Sequence, residues 1–195
     1  IAVTTAASLV ALGNRTMLDA LLLWTAAVRK GEWWRLLTYG LVHADVGHLL
    51  VNMLTFYFFG GVVEGFYQDQ LGAFGFYLFY VLALLASILP SYFDHRDDPD
   101  YRSLGASGAV SAVLFAYILF QPWSMLYVYF ALPVPAIVYA VLYVAYSMYA
   151  GAKGTGRTNH SAHLWGAAYG VAFTLVLEPR VFSLFLDSLA HPSFG

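Results

Sequence analysis

Long apolar stretches separated by short polar segments dominate the sequence. From Ser103 to Ala152, fifty consecutive residues include no Asp, Glu, Lys, Arg or His. A helix that crosses a bilayer needs about 20 mostly apolar residues, so this stretch is long enough for two. Gln121-Pro122 is the natural break between them, because the residue before a proline is disfavoured in a helix. The pattern predicts membrane-spanning helices.

The whole chain reads as one all-α domain, residues 1–195, that forms a polytopic bundle of six transmembrane helices. Each span is expected to be helical, since an open sheet edge leaves backbone groups unpaired in lipid. The first apolar stretch is short, and we expect its span to begin before the numbered chain. Residues 14–35 mix charges with tryptophans and are predicted to lie in the membrane interface. The predicted spans are residues 1–13, 46–65, 71–93, 106–120, 124–150 and 161–177.

Composition supports a membrane protein and excludes several classes of function. Charged residues make up 10% of the chain and hydrophobic residues 61%, whereas a soluble chain has roughly 25% charged residues. The net charge of −2 gives no basic surface for nucleic acid. There is no cysteine, which excludes disulfides, thiolate metal sites and a cysteine nucleophile. We therefore expect an integral, multi-pass membrane protein.

Polar side chains occur where three predicted spans begin. They are His43, His48 and Asn52 at the second span, Ser107 at the fourth and His163 at the sixth. The second, fourth and sixth spans cross the membrane in the same direction, so these residues share one side and a similar depth. Hydrogen-bonding or ionisable side chains within a span are costly and suggest function. His48 and Asn52, four residues apart, lie on one helix face.

Small residues allow the fourth and sixth spans to approach each other. Gly166 and Gly170 form a GxxxG face on the sixth span, and Ser107, Ser111 and Ala112 offer a small face on the fourth. Close contact would bring the His163 imidazole to the Ser107 hydroxyl, which is the nucleophile and base pair that acyl transfer needs. No carboxylate is expected at this depth, so the sequence predicts a Ser–His dyad.

With these residues in place, the sequence resembles the rhomboid family of intramembrane serine proteases. The resemblance rests on five motifs in the family's order. They are Glu-Trp-Trp-Arg at residues 32–35, His-x4-His-x3-Asn at 43–52, Gly-Gly-x-x-Glu at 60–64, Gly-x-Ser-Gly at 105–108 and Ala-His-x-x-Gly-x3-Gly at 162–170.

The resemblance implies roles for individual residues. Ser107 would be the nucleophile and His163 the general base, while His48, Asn52 and the Ser107 backbone would form the oxyanion hole. It implies no cofactor and no metal, and its partners would be membrane lipid and single-pass transmembrane protein substrates cut near small residues in a locally unwound segment. The supporting residues would be His43, Gly105, Gly108, Trp34, Arg35, Glu64, Gly166 and Gly170.

The resemblance also implies a membrane location and moving parts. The active site would lie in a water-filled cavity open to the extracytoplasmic side of the plasma (inner) membrane, beside a mobile fifth span and a capping loop at residues 151–159. The charges predict the reverse orientation. By the positive-inside rule, eight basic residues in the expected outer loops outweigh Arg180, the one basic residue on the expected inner side.

At position 111, many bacterial relatives carry a tyrosine whose ring packs on the catalytic imidazole. This chain has Ser111 there. We therefore expect Trp165 or a hydrogen bond to orient His163.

Two other functions remain open at this stage. One is a catalytically silent relative that binds transmembrane segments as a chaperone or adaptor, although such relatives usually lose the Ser or the His. The other is a metal site or transporter built from His43, His48, His160 and His163. A zinc enzyme usually adds a carboxylate ligand, and none is expected at that depth.

Overall fold

The computed structural model describes residues 1–128, 131–153 and 158–193, most of them in helices. Two antiparallel strand pairs, β1–β2 and β3–β4, complete the regular structure of this part of the chain. The helices are α1 (Ala2–Gly13), α2 (Arg15–Leu21), α3 (Thr25–Arg29), α4 (Arg35–Thr38), α5 (Val46–Leu71), α6 (Gly75–Asp94), α7 (Ser107–Phe120), α8 (Ala136–Lys153), α9 (His160–Leu177) and α10 (Arg180–Ala190), with a 3₁₀ turn at Tyr39–Leu41. The strands are β1 (Leu23–Trp24), β2 (Arg102–Ser103), β3 (Met125–Val128) and β4 (Leu132–Pro135).

Helix α7 forms the centre of the bundle. Twelve of its fourteen residues are buried, from Gly108 to Leu119, as expected for a helix that is apolar on every side. Helices α5, α6 and α9 pack around it. Ser107, the first residue of α7, is thereby placed at one end of the most enclosed element of the protein.

Helices α7 and α9 touch through their backbones. A Cβ atom on Gly166 would collide with the carbonyl oxygen of Gly108, and one on Gly170 would collide with that of Ala112. Glycine is required at both positions because any side chain would force the helices apart. The predicted small-residue contact is therefore present. Ala112 takes part in it as predicted, together with Gly108, which was not in the predicted face, whereas the Ser111 side chain faces α8.

Two helices of the described residues, α5 and α6, are long and apolar enough to cross a membrane. Helices α9 and α10 add a third if this pair, bent by 114°, counts as one span. Helices α1 and α7 are apolar but shorter. The six-span arrangement stays a prediction.

The region before α8 corrects the prediction of an entirely helical fold. Helix α8 begins at Ala136, not at residue 124, and the residues before it form the β3–β4 hairpin, in which Tyr127 pairs with Pro133. Proline has no N–H to donate to a ladder and is tolerated at an edge strand. Pro133 and Pro135 therefore lie in a strand rather than kinking a helix.

Other predicted boundaries also move. Helix α5 continues past residue 65, the predicted end of the second span, and ends at Leu71, where Gly72 follows with a φ of +78°. Residues 151–153 of the predicted capping loop belong to α8. Residues 154–157 of that loop lie outside the described residues. The segment predicted to lie in the interface, residues 14–35, comprises α2, β1, α3 and the start of α4.

Candidate active site

The structure brings the Ser107 and His163 side chains together. Ser107 is the first residue of α7, and His163 lies in the first turn of α9. The distance from Ser107 Oγ to His163 Nε2 is 2.8 Å, which is within hydrogen-bonding range. The α7–α9 contact at Gly108 and Gly166 holds the two helices close enough for this bond. The pair has the geometry of a nucleophile and its general base.

A cavity of about 990 Å³ surrounds this pair and has polar side chains in its lining. His48, Asn52 and Gly105 line it together with Ser107 and His163. Four of the five side chains predicted at three separate spans thus face one shared space, and His43 lies outside its lining.

Gly105 allows His48 to lie directly against the loop before the nucleophile. Its φ is +109°, a left-handed conformation that favours glycine. A Cβ atom at this position would strike the His48 imidazole. Gly105 therefore allows both the left-handed turn and the close approach of the His48 ring.

Three hydrogen-bond donors are available near Ser107. The first N–H groups of α7 have no intrahelical partner, and the residue before the helix, Ala106, provides no side-chain cap. The His48 imidazole and the buried Asn52 amide line the same cavity, and Asn52 Nδ2 donates to the His48 carbonyl oxygen at 2.9 Å. Asp45 Oδ1 accepts from the His48 N–H at 2.8 Å and fixes the start of α5. This arrangement can stabilise negative charge that develops on a carbonyl oxygen.

His43 lies beneath the nucleophile loop, fully buried, and connects it to α1. The Ala106 N–H donates to His43 Nε2 at 3.3 Å, and His43 Nδ1 lies 2.8 Å from Ser8 Oγ. The Ser8 hydroxyl donates in turn to the Leu41 carbonyl oxygen at 2.8 Å. Because Nε2 accepts, the neutral ring carries its proton on Nδ1 and donates it to Ser8. Burial lowers the pKa of His43 to about 4, which keeps the ring neutral at pH 7.

Sequence reasoning missed Ser8, although it predicted support from His43. The only signal was a hydroxyl in an apolar helix, and this signal is weak because serine often bonds to its own helix backbone.

Tyr143 on α8 provides the ring that position 111 lacks. Its ring centroid lies 5.9 Å from that of His163, with 24° between the ring planes. Its hydroxyl lies 2.6 Å from Ser111 Oγ, which donates to the Ser107 carbonyl oxygen at 2.8 Å. Trp165, the alternative predicted from sequence, is half exposed and lines a separate apolar groove with Phe93. The expectation that Trp165 orients His163 was wrong.

Three further supporting residues lie away from the cavity lining. The buried Arg35 side chain donates to the Asp19 and Leu22 carbonyl oxygens at 2.6 and 2.8 Å and pairs with Glu32. Trp34 is half exposed. Glu64 accepts a bond from Gln68 within α5. Arg35 therefore organises the first loop rather than contacting the reacting groups.

The histidines do not form the metal site considered from sequence. Both ring nitrogens of His43 are already engaged, and His163 Nε2 faces Ser107. The His160 ring packs edge-on against that of His163, with centroids 5.9 Å apart. Across residues 1–128, 131–153 and 158–193, no group of three or more His, Asp or Glu side chains is placed to hold a metal ion.

Comparison with known proteins identifies the family. Residues 30–180 match the family model described as the Rhomboid domain, which is well over half of the chain. The chain belongs to the rhomboid family. The resemblance drawn from the five motifs is thereby confirmed. The apolar helices α5 and α6 agree with this assignment, and the protein is a membrane protein.

The rhomboid relatives include both plant and bacterial proteins. "RHOMBOID-like protein 12, mitochondrial" from Arabidopsis thaliana is 32% identical over 151 residues, which cover 72% of this chain and 45% of the relative. "Putative rhomboid protease YdcA" from Bacillus subtilis is 34% identical over 91 residues, 47% of this chain and 43% of the relative. "Rhomboid protease GluP" from the same species is 35% identical over 91 residues, 47% and 16% respectively. The chain spans less than half the length of these curated relatives.

Proposed function

We propose that this rhomboid-family chain is an intramembrane serine endopeptidase in which Ser107 is the nucleophile and His163 the general base. The observation that carries the proposal is the 2.8 Å contact between Ser107 Oγ and His163 Nε2 inside a cavity with polar residues in its lining. Two relatives named as rhomboid proteases support it at the level of the family.

The proposed reaction is acyl transfer in two steps. His163 Nε2 takes the Ser107 proton as Oγ attacks the scissile carbonyl carbon, and the tetrahedral intermediate collapses when His163 gives that proton to the leaving amine. Water then loses a proton to His163 and attacks the acyl-enzyme. The ester bond breaks, and the proton returns to Ser107. The Ser107 N–H, His48 and Asn52 would donate to the carbonyl oxygen in both intermediates.

The length of α7 supports a nucleophile below the lipid surface. Fourteen residues at 1.5 Å each give a helix of about 21 Å, whereas the hydrocarbon core is about 30 Å thick. A helix at the centre of a six-span bundle would then begin inside the membrane, with its cavity open to the extracytoplasmic side of the plasma membrane.

The proposed substrates are single-pass transmembrane proteins. A peptide bond within an intact helix is shielded, because its carbonyl group is paired along the helix. The segment cut must therefore unwind locally to reach Ser107, and small residues favour such a segment. No cofactor or metal has a part in this scheme.

The test is cleavage of a single-span substrate with small residues near its outer end, reconstituted in liposomes. Ser107→Ala and His163→Ala should each reduce the cleavage rate by at least about 10²- to 10⁴-fold, since each removes a group that acts in the transition state. Ser183→Ala, at an exposed position on α10, is the matched control and should cleave normally. Cleavage by Ser107→Ala at the wild-type rate would refute the proposal. Wild-type protein that binds transmembrane segments but never reacts would favour the silent relative.

A further inference from the structure

We propose that Tyr143, which α8 contributes, is the positioning residue of His163 and makes the orientation of the base depend on the docking of α8. This inference rests on the proposed function. It starts from two contacts of one side chain, the ring of Tyr143 against the His163 imidazole and its hydroxyl on Ser111.

The ring contact limits how the imidazole can turn. The centroid separation of 5.9 Å and the 24° between the planes fit an offset stack of two rings. The Tyr143 ring is held in turn by Phe115 on α7 and by Tyr139 on its own helix, with centroids 5.6 and 5.8 Å away. A rotation of His163 away from Ser107 would therefore meet a fixed surface.

The hydroxyl contact sets the position of that surface relative to the nucleophile. The Ser111 hydroxyl gives its proton to the Ser107 carbonyl oxygen at 2.8 Å, so its oxygen accepts from the Tyr143 hydroxyl at 2.6 Å. The chain of bonds runs from Tyr143 through Ser111 to Ser107 itself. These two hydrogen bonds thus fix the position of the Tyr143 ring relative to Ser107.

No carboxylate performs this task for His163. Among the described residues that line the cavity, Asp45 is the one acidic side chain, and its Oδ1 already accepts from the His48 N–H. In a Ser–His–Asp triad the acid orients the imidazole. In this chain the rings of Tyr143 and His160 both contact the imidazole, and Tyr143 is the one that is also bonded through Ser111 to Ser107. We therefore give that role to Tyr143.

The position of Tyr143 on α8 gives the arrangement a second property. Helix α8 lies at the surface of the bundle and buries only four small residues, Ala136, Ala140, Ser147 and Ala150. Any movement of α8 away from α7 would remove the ring from His163 and break the bond to Ser111. The orientation of His163 and the packing of α8 against α7 would then be gained or lost together.

The experiment measures cleavage by Tyr143→Leu and Tyr143→Phe beside the wild type. Loss of the ring should reduce kcat by roughly 10- to 100-fold, because small misplacements of a catalytic group have effects of this size, and KM should change by less than about threefold. Tyr143→Phe keeps the ring and should recover most of the kcat. Tyr149→Leu removes an exposed tyrosine from the same helix and should match the wild type.

The outcomes separate this inference from the proposed function. An inert Ser107→Ala together with an unchanged kcat in Tyr143→Leu overturns the positioning role alone, as does an effect confined to KM. An active Ser107→Ala overturns both. If Tyr143→Leu does not fold, as judged by thermal unfolding, the test passes to Tyr143→Phe, Ser111→Ala and their combination. The double variant should then be no slower than Ser111→Ala, and additive losses would reject the coupling.

Discussion

The two sides of the cavity are packed in opposite ways. On one side, α7 buries twelve of its fourteen residues and meets α9 backbone to backbone through Gly108 and Gly166. On the other, α8 buries four of its eighteen residues, and large side chains such as Tyr146 and Tyr149 remain exposed. The β3–β4 hairpin that precedes α8 exposes Tyr127 and Leu132.

This contrast separates two requirements of the proposed chemistry. Ser107 and His163, the proposed reacting residues, lie on helices that cannot separate without breaking a close backbone contact. The ring proposed to orient His163 lies on α8, where the four fully buried side chains are small and larger ones packed against the core, such as Tyr139 and Val144, are only partly buried. Regions with few buried contacts are the ones that open at low free energy. We therefore expect the contact between Ser107 and His163 to persist when α8 moves and the Tyr143 ring leaves the His163 imidazole.

The largest effect is expected from crowding the contact between α7 and α9. Gly166→Val places a Cβ against the Gly108 carbonyl oxygen, so the helices must move apart. We expect a cost of about 3 kcal/mol, the upper end of the usual range for overpacking. The variant should unfold at a much lower temperature in detergent and lose activity. Gly65→Val is the control, because a Cβ atom there meets nothing within 4 Å. If the two variants were equally stable, the α7–α9 contact would not be the tightly packed side of the cavity.

An intermediate loss of stability is expected from changes to His43 and Ser8, which lie beneath the loop that precedes Ser107. His43→Ala leaves the buried Ala106 N–H without its acceptor, and an unsatisfied buried donor costs about 1–3 kcal/mol. Ser8→Ala leaves the buried His43 Nδ1–H and the Leu41 carbonyl oxygen without this partner, at a cost in the same range of about 1–3 kcal/mol. Its loss should still be the smaller one, because it keeps the bond to Ala106 and does not leave the cavity that removal of a buried ring leaves. Thermal unfolding and the rate of covalent labelling of Ser107 measure both. His191→Ala, at an exposed position, should change neither, and a Ser8→Ala loss larger than that of His43→Ala would contradict the central place of His43 in these contacts.

The smallest effect is expected on the hairpin. Tyr127→Ser and Leu132→Ser replace side chains that are 65% and 61% exposed, and surface changes of this type stay within about 0.5 kcal/mol. Chemical unfolding in detergent should hardly distinguish them from the wild type. A destabilisation comparable to that of His43→Ala would show that this side is packed as firmly as the α7–α9 side.

The reacting pair was predictable from the sequence because its signals are local and repeat across spans. Ser107, His163, His48 and Asn52 each lie near the start of a predicted span, and these predicted spans run in the same direction, so parity alone predicts that the four residues lie at one level. Gly166 and Gly170 then predicted which two helices touch. None of these inferences needed the distance between side chains.

Tyr143 could not be found in the same way. It is one of four tyrosines on α8, with Tyr139, Tyr146 and Tyr149, and the crossing of α8 over α7 decides which of them meets His163. Its bond to Ser111 joins residues 32 positions apart. Ser111 showed that the aromatic ring expected at position 111 is missing, but it did not show which helix supplies another ring.

The hairpin before α8 was missed because an uncharged run looks like a continuous span. A bilayer helix and a short apolar hairpin have the same hydropathy, and only Pro133 and Pro135 distinguish them. Two prolines one residue apart favour an edge strand over a kinked helix, and this signal was available in the sequence.

The most direct test of the central claim is to find which serine reacts with a fluorophosphonate probe. The wild-type protein in detergent would be labelled, digested and mapped by mass spectrometry. We expect a single modified residue, Ser107, with a labelling rate that falls by at least about 100-fold in His163→Ala. Modification of another serine such as Ser111, or a Ser107 rate that does not depend on His163, would contradict it.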